Sequence, residues 1–214
     1  MSHVTAVLVG IAVLASCLTC LPACQSRQDK ALTTVRKELA VRGAAGARSM
    51  QLLKKGQEAR DASQPEQARK CLAQAVLEDD RNAVAWMALG ALEYEQGKYY
   101  EAACAFHRAS RLEPSRYEPH FNIGLVMESA GLYFKAIPAY ESALKLSGEQ
   151  LEVMEHLARC YVRTGTNLRK ARELVDKAGA VECRPEWLRW LEQTSAKLGG
   201  EMAGSQPACA AADR

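Results

Sequence analysis

Residues 83–116 read AVAWMALGALEYEQGKYYEAACAFHRASRLEPSR. Trp86, Leu89, Gly90, Tyr94, Gly97, Tyr99, Ala102, Phe106, Ala109, Leu112 and Pro114 punctuate this stretch, and the same residue types return in steps of 34 residues. The next unit, 117–150, has Ile123-Gly124, Gly131, Tyr133, Ala136, Tyr140 and Ala143. The preceding unit, 49–82, has Leu52, Gly56, Ala68, Leu72 and Ala75. The last, 151–185, has Met154, Leu157-Ala158, Tyr161, Gly165, Ala171, Val175 and Ala178, with one residue inserted near Leu168. Four units in one register define a repeat architecture, where a single match would decide nothing.

The spacing predicts two antiparallel helices per unit. Gly56, Gly90, Gly124 and Ala158 are small where the second helix crosses the first, and Ala68, Ala102, Ala136 and Ala171 answer them. Leu72, Phe106, Tyr140 and Val175 fill the wider gap. Gly97, Gly131 and Gly165 stand where a left-handed residue ends the first helix, and Pro114 closes the last helix of its unit. One helix pair cannot bury its apolar face, so neighbours must stack. The first unit departs from the pattern, with Lys55 at the usual Leu position and Ser63-Gln64-Pro65 replacing the Gly turn. His120 stands where Trp86 stands in its unit, and reads as a packing residue rather than a ligand.

This pattern resembles the tetratricopeptide repeat. The resemblance implies an all-α fold, a right-handed superhelical solenoid of four helix pairs (49–82, 83–116, 117–150, 151–185). Pro185 opens a further stretch whose Trp187, Trp190, Leu191, Thr194 and Leu198 form one stripe, resembling the capping helix of such arrays (186–198). Residues 199–214 are small and polar and read as a disordered tail. Residues 25–48 read as a linker with a short helix marked by Leu32, Val35 and Leu39, followed by a flexible Gly43-Ala-Ala-Gly46.

The first 24 residues contain no Asp, Glu, Lys or Arg. Such an apolar run reads as a signal peptide or membrane anchor. Leu14-Ala15-Ser16-Cys17 and Leu21-Pro22-Ala23-Cys24 resemble the lipidation box of bacterial lipoproteins, so Cys17 (or Cys24) is the expected lipidated residue. An uncleaved anchor and ordinary secretion are the alternatives. The expected location is the bacterial cell envelope, membrane-anchored or exported.

Lys and Arg number 28 against 25 Asp and Glu, a net charge of +3. This balance does not suit a phosphate-tracking surface, and nucleic acid is not an expected partner. There is no GxxxxGK[ST], GxSxG, HExxH or GxGxxG, and no pair among the four His has metal-ligand spacing. Neither an enzyme nor a cofactor or metal site is expected. Of eight Cys, Cys17, Cys20 and Cys24 lie in the apolar run, and Cys71, Cys104, Cys160, Cys183 and Cys209 are too scattered for a ligand set.

In the resembled family, the first helix of each unit lines the concave face with its second, fifth, ninth, twelfth and thirteenth residues. By register these include Met50, Leu53 and Arg60, then Met87 and Tyr94, then Phe121, Leu125 and Glu128, then Arg159 and Arg163. Their apolar centre suggests a groove for a protein or peptide, or else residues packed between adjacent helices. The carboxylate clamp of the family's chaperone adaptors is incomplete here. Asn122 fits it, but Met87, Ala91, Glu152 and His156 occupy its other positions. The expected function is a membrane-tethered interaction scaffold that helps an envelope machine such as a pilus or secretion system assemble. The alternative is a regulatory module for an envelope enzyme such as a peptidoglycan hydrolase.

Overall fold

The computed structural model describes residues 33–34, 36–148, 150–179, 189–190 and 193. The chain divides into two compact units, Met1–Arg48 and Ser49–Arg214. In the first, residues 36–48 are helical. The expected flexible break at Gly43-Ala-Ala-Gly46 is therefore absent. Each glycine costs a helix only about 1 kcal/mol relative to Ala, and the paired alanines favour the helix. The apolar leader with Cys17 and Cys24, and the polar tail, lie outside the described residues.

In the second unit, residues 49–61 (α1) are helical. They are followed by α2 (Pro65–Glu78), α3 (Ala83–Glu95), α4 (Tyr99–Leu112), α5 (Glu118–Ser129), α6 (Tyr133–Ser147), α7 (Leu151–Thr164) and α8 (Leu168–Gly179). Among the described residues there is no strand. No helix there is long and apolar enough to cross a membrane. The helices form four consecutive pairs, and each packs on the next in sequence. The fold is the all-α helical repeat that the 34-residue register implies.

The first helix of each pair ends the same way. After α3, Gly97 has a φ of 73°, with Gly97 N–H donating to Tyr94 O at 2.9 Å and Lys98 N–H to Glu93 O at 2.9 Å. This double closure satisfies carbonyls that the helix end would leave bare. In the first pair Ser63 takes the left-handed place at φ 57°, and the bonds Ser63 N–H to Arg60 O and Gln64 N–H to Ala59 O are both 2.9 Å. The turn geometry thus survives loss of the glycine, at the steric cost of a Cβ in that region. Pro65 then opens α2 in the first turn, where no backbone donor is missed.

Close packing explains the small residues. A Cβ at Gly90 would sit 2.7 Å from Cε1 of Phe106, and one at Gly56 would sit 2.7 Å from Cγ of Leu72. Gly124 faces the ring of Tyr140 in the same way. The fourth pair trades sizes, because Ala158 carries its methyl where the second helix presents the smaller Val175, and both are buried. Three of the clusters of buried side chains draw on two successive pairs, and the fourth, Ala158 with Val175 and Ala178, lies within the last pair. Leu53, Leu72 and Leu92 join pairs one and two; Phe106, Ile123 and Val126 join two and three; Tyr140, Leu157 and Tyr161 join three and four. The core is therefore continuous along the array. Buried Ser49 adds a polar stitch, donating to Ala75 O at 2.8 Å and accepting from Asn82 Nδ2 at 2.9 Å.

Of the expected capping helix, only Arg189, Trp190 and Gln193 are described, and they are helical. Trp190 packs against Ala158, Val175 and Ala178 and carries Arg159 over its ring at 5.9 Å. Trp187, Leu191, Thr194 and Leu198 lie outside the described residues.

Candidate binding face

First helices touch each other along the array, α3 with α5 and α5 with α7, more closely than second helices touch one another. The first helices therefore line the inner side of the stack. The residues singled out by register fall on them, but they divide into two groups.

Met50 is exposed, and Met87, Tyr94 and Leu125 are half-buried, as are Arg60 and Arg159; Arg163 is exposed. Val162 is half-buried and Val84 exposed beside them. Met87 and Tyr94 pack against the cluster of Phe106 and Ile123, and Leu125 and Val162 against that of Tyr140 and Leu157, each keeping part of its surface open. Tyr94 Oη pairs with Ser129 Oγ of the next first helix at 2.7 Å, and Met87 Sδ accepts from Asn122 Nδ2 at 4.0 Å. Met50 Sδ accepts from Asn82 Nδ2 at 3.5 Å. Arg60 lies 4.0 Å from Asp61, and the Arg163 guanidinium lies 5.6 Å over the ring of Tyr133.

Leu53 and Phe121 do not belong to an open groove. Leu53 is 3% exposed and packs in the cluster that holds Ala85 and Leu92. Phe121 is 8% exposed, edge-on to His156 at 5.4 Å and tilted against Tyr140 at 5.7 Å. The fifth residue of a first helix meets whatever the next pair presents. For Phe121 that is the imidazole of α7, so the ring is closed over.

Glu128 is likewise not a free groove charge. Its side chain is largely buried and holds three elements together. Tyr140 Oη of α6 donates to Oε2 at 2.7 Å, His156 Nδ1 of α7 lies 2.7 Å from the same oxygen, and Arg159 reaches Oε1 at 3.4 Å. Arg159 also pairs with Glu155 at 2.6 Å. Burial acts to raise the Glu128 pKa. The hydrogen bonds from His156 and Tyr140, with the charges of His156 and Arg159, outweigh it and hold the carboxyl below its usual range. Burial first, then the bond to Glu128, drives the Tyr140 phenol far above its ordinary value. Buried Cys160 is pushed up to about 12 by desolvation and then by the Glu128 charge, so this thiol is inert. His120 is half-buried, and desolvation and then His107 lower its pKa, in keeping with a packing role. Among the described residues no group of His, Cys, Asp or Glu could hold a metal ion.

Two features depart from the repeat pattern. Glu93 stands where a tyrosine is usual. It is buried with its carboxylate 2.8 Å from Arg69 Nε and 3.5 Å from Lys98 Nζ. The second feature is a set of exposed aromatic side chains at the starts of α4 and α6. Nothing in the repeat pattern asks for aromatics there on the solvent side.

A tetratricopeptide-repeat family model matches residues 53–119 and 92–150. Superkiller complex protein 3 of Mus musculus is 27% identical over 124 residues, covering 58% of this chain and 8% of that protein. The chain spans between 8% and 17% of the length of the curated relatives it matches. The crystal structure of MamA superposes with a TM-score of 0.57 at 26% identity, covering 70% of this chain and 81% of the other. The first TPR of Spaghetti (RPAP3), bound to HSP90 peptide SRMEEVD, superposes with a TM-score of 0.54 at 17% identity, covering 56% of this chain and 96% of that one. This last likeness is one of fold.

Proposed function

We propose that the protein is a membrane-tethered scaffold that binds a protein partner along its first helices, through the helix pairs over which a tetratricopeptide-repeat family model matches residues 53–119 and 92–150. Tetratricopeptide arrays generally serve protein–protein interaction, through the extended surface that stacked pairs create. The observation that carries the reading here is the half-buried row Met87, Tyr94, Leu125 and Val162, with exposed Met50 and Val84 beside it and Arg159 and Arg163 at one end. Accessible apolar side chains rimmed by charge suit an amphipathic helix or an extended peptide. A C-terminal carboxylate is a poor fit, because His156 is spent on Glu128 and Glu152 stands where a cation would be needed. The role is binding rather than catalysis. Glu128, Glu155 and His156 of the face are tied in structural pairs with one another and with Arg159.

The tether rests on the uncharged apolar leader and the two candidate lipidation boxes at Cys17 and Cys24. Cys17→Ser or Cys24→Ser should abolish labelling by a fatty-acid analogue; a wild-type chain that takes no label, or labelling unchanged by either substitution, contradicts lipidation at these cysteines. An adaptor for assembly of a pilus or secretion machine is the reading we favour; a module regulating a peptidoglycan hydrolase is the alternative. Purification of the tagged full chain from its own host, wild type against Met87→Ala/Leu125→Ala, separates them. Components of an assembly machine lost from the variant support the adaptor, and a cell-wall hydrolase supports the alternative. An unchanged set of co-purifying proteins contradicts binding on this face.

A further inference from the structure

The second helices begin alike. After α2, which starts Pro65-Glu66-Gln67, the first three residues are Tyr99-Tyr100-Glu101 in α4, Tyr133-Phe134-Lys135 in α6 and Leu168-Arg169-Lys170 in α8, preceded by Lys98, Leu132 and Asn167. These starts lie at the same end of successive pairs, so they form one edge of the array, beside the first-helix face. On it Tyr100 is 79% exposed and Phe134 69%, with Leu132 and Leu168 at 43%. A repeat protein has no packing use for an exposed aromatic at the second position of this helix, and in the fourth pair the place goes to Arg169. Behind the exposed residues the edge is braced. Tyr99 leans on Tyr94 at 6.0 Å, and Tyr133 lies under the Arg163 guanidinium.

We propose that this edge is a docking surface for an anionic lipid bilayer. The row is a projecting ridge, one residue set per helix pair, and a ridge fits a plane rather than a groove. Tyrosine and phenylalanine beside lysine and arginine are the chemistry of the headgroup boundary, where rings enter the acyl edge and cations meet anionic phosphates. Lys135, Arg169 and Lys170 supply positive charge, with Lys98 beside them drawn to Glu93 at 3.5 Å, against Glu66 and Glu101 among the helix-starting residues. The Arg169 side chain is 92% exposed and pairs only loosely, at 3.8 Å, with Glu173, and Lys170 lies 3.5 Å from Glu141. A second copy of the chain, edge to edge, would set these cations against their own kind. The edge does not depend on the scaffold reading, since it uses different residues. It would orient the first-helix face relative to the membrane whatever partner that face takes.

The test is flotation of the full chain with vesicles of phosphatidylcholine alone or with about one-third phosphatidylglycerol, read as the excess partition into the anionic vesicles, since the apolar leader enters both alike. Leu77, 83% exposed near the opposite end of α2, supplies a control on an equally accessible apolar residue. Tyr100→Ser/Phe134→Ser should weaken partition into the anionic vesicles about tenfold or more. Lys135→Glu/Arg169→Glu should weaken it comparably and flatten its salt dependence. Leu77→Ser should leave it unchanged, and all variants should keep the wild-type melting temperature because the altered side chains lie outside the core. Wild-type partition by the aromatic variant overturns the proposal, as does an equal loss in Leu77→Ser. Loss of self-association in sedimentation, with vesicle binding intact, would also overturn it and assign the edge to a second copy.

Discussion

Gly90→Leu is expected to unfold the array cooperatively. A Cβ alone would stand 2.7 Å, 2.9 Å and 3.0 Å from three ring carbons of Phe106. The ring is 2% exposed and sits in the cluster with Ala102, Ile123 and Val126, so it has nowhere to retreat. Overpacking at such a contact costs about 1–3 kcal/mol per site and occasionally more, and leucine adds three carbons beyond the Cβ. We expect about 3 kcal/mol or more, read as a fall in melting temperature of many degrees. The fourth pair shows how the site can be relieved, since Ala158 faces Val175 there. Gly90→Ala/Phe106→Val should therefore be more stable than the two single changes predict by addition. Circular dichroism melts of the single and double variants measure this. A wild-type melting curve for Gly90→Leu would mean that the helix pair does not cross at this residue.

Phe121→Ala is expected to act on stability and Met87→Ala on binding, though both residues hold the fifth position of a first helix. Phe121 is enclosed by Tyr140 and His156, and its removal opens a cavity next to the buried Glu128 cluster. Such truncations cost about 3–5 kcal/mol. Met87 is half-buried and should cost far less, yet as a face residue its loss should weaken partner capture by about 2 kcal/mol if it is a hot spot. Thermal melts and partner affinity measured on the same two variants separate the roles. Equal stability losses, with binding falling only in step with folding, would take Met87 out of the face as well.

The fold was legible because its strongest constraints are local and chemical. Small residues at Gly56, Gly90 and Gly124 mark backbone crossings, and Gly97, Gly131 and Gly165 mark turns, whatever surrounds them. Ser63 shows the limit of that reading, since it adopts the left-handed turn with nothing in its side chain to announce it. The face was only partly legible because exposure is decided between pairs. Register places Leu53, Met87 and Phe121 alike, but a neighbour's choice of side chain buries two and leaves one accessible. Glu128 reads as a groove charge until Tyr140 and His156, 12 and 28 residues away, are brought to its carboxylate. Glu93 and Tyr100 were visible as departures from the repeat, but only solvent exposure tells that the first is an interior ion pair and the second a surface ring.

The central claim is that the first-helix face takes a protein partner, and site-specific photo-crosslinking in the native host tests it most directly. A photoreactive amino acid is placed singly at Met87, Tyr94 or Leu125, and at Leu77 and Lys145 on second helices as controls. The three face positions should yield adducts to one and the same protein, while the second-helix positions should not. Adducts to that protein from the second-helix positions alone, or no adduct from any face position while the chain remains folded, would contradict it.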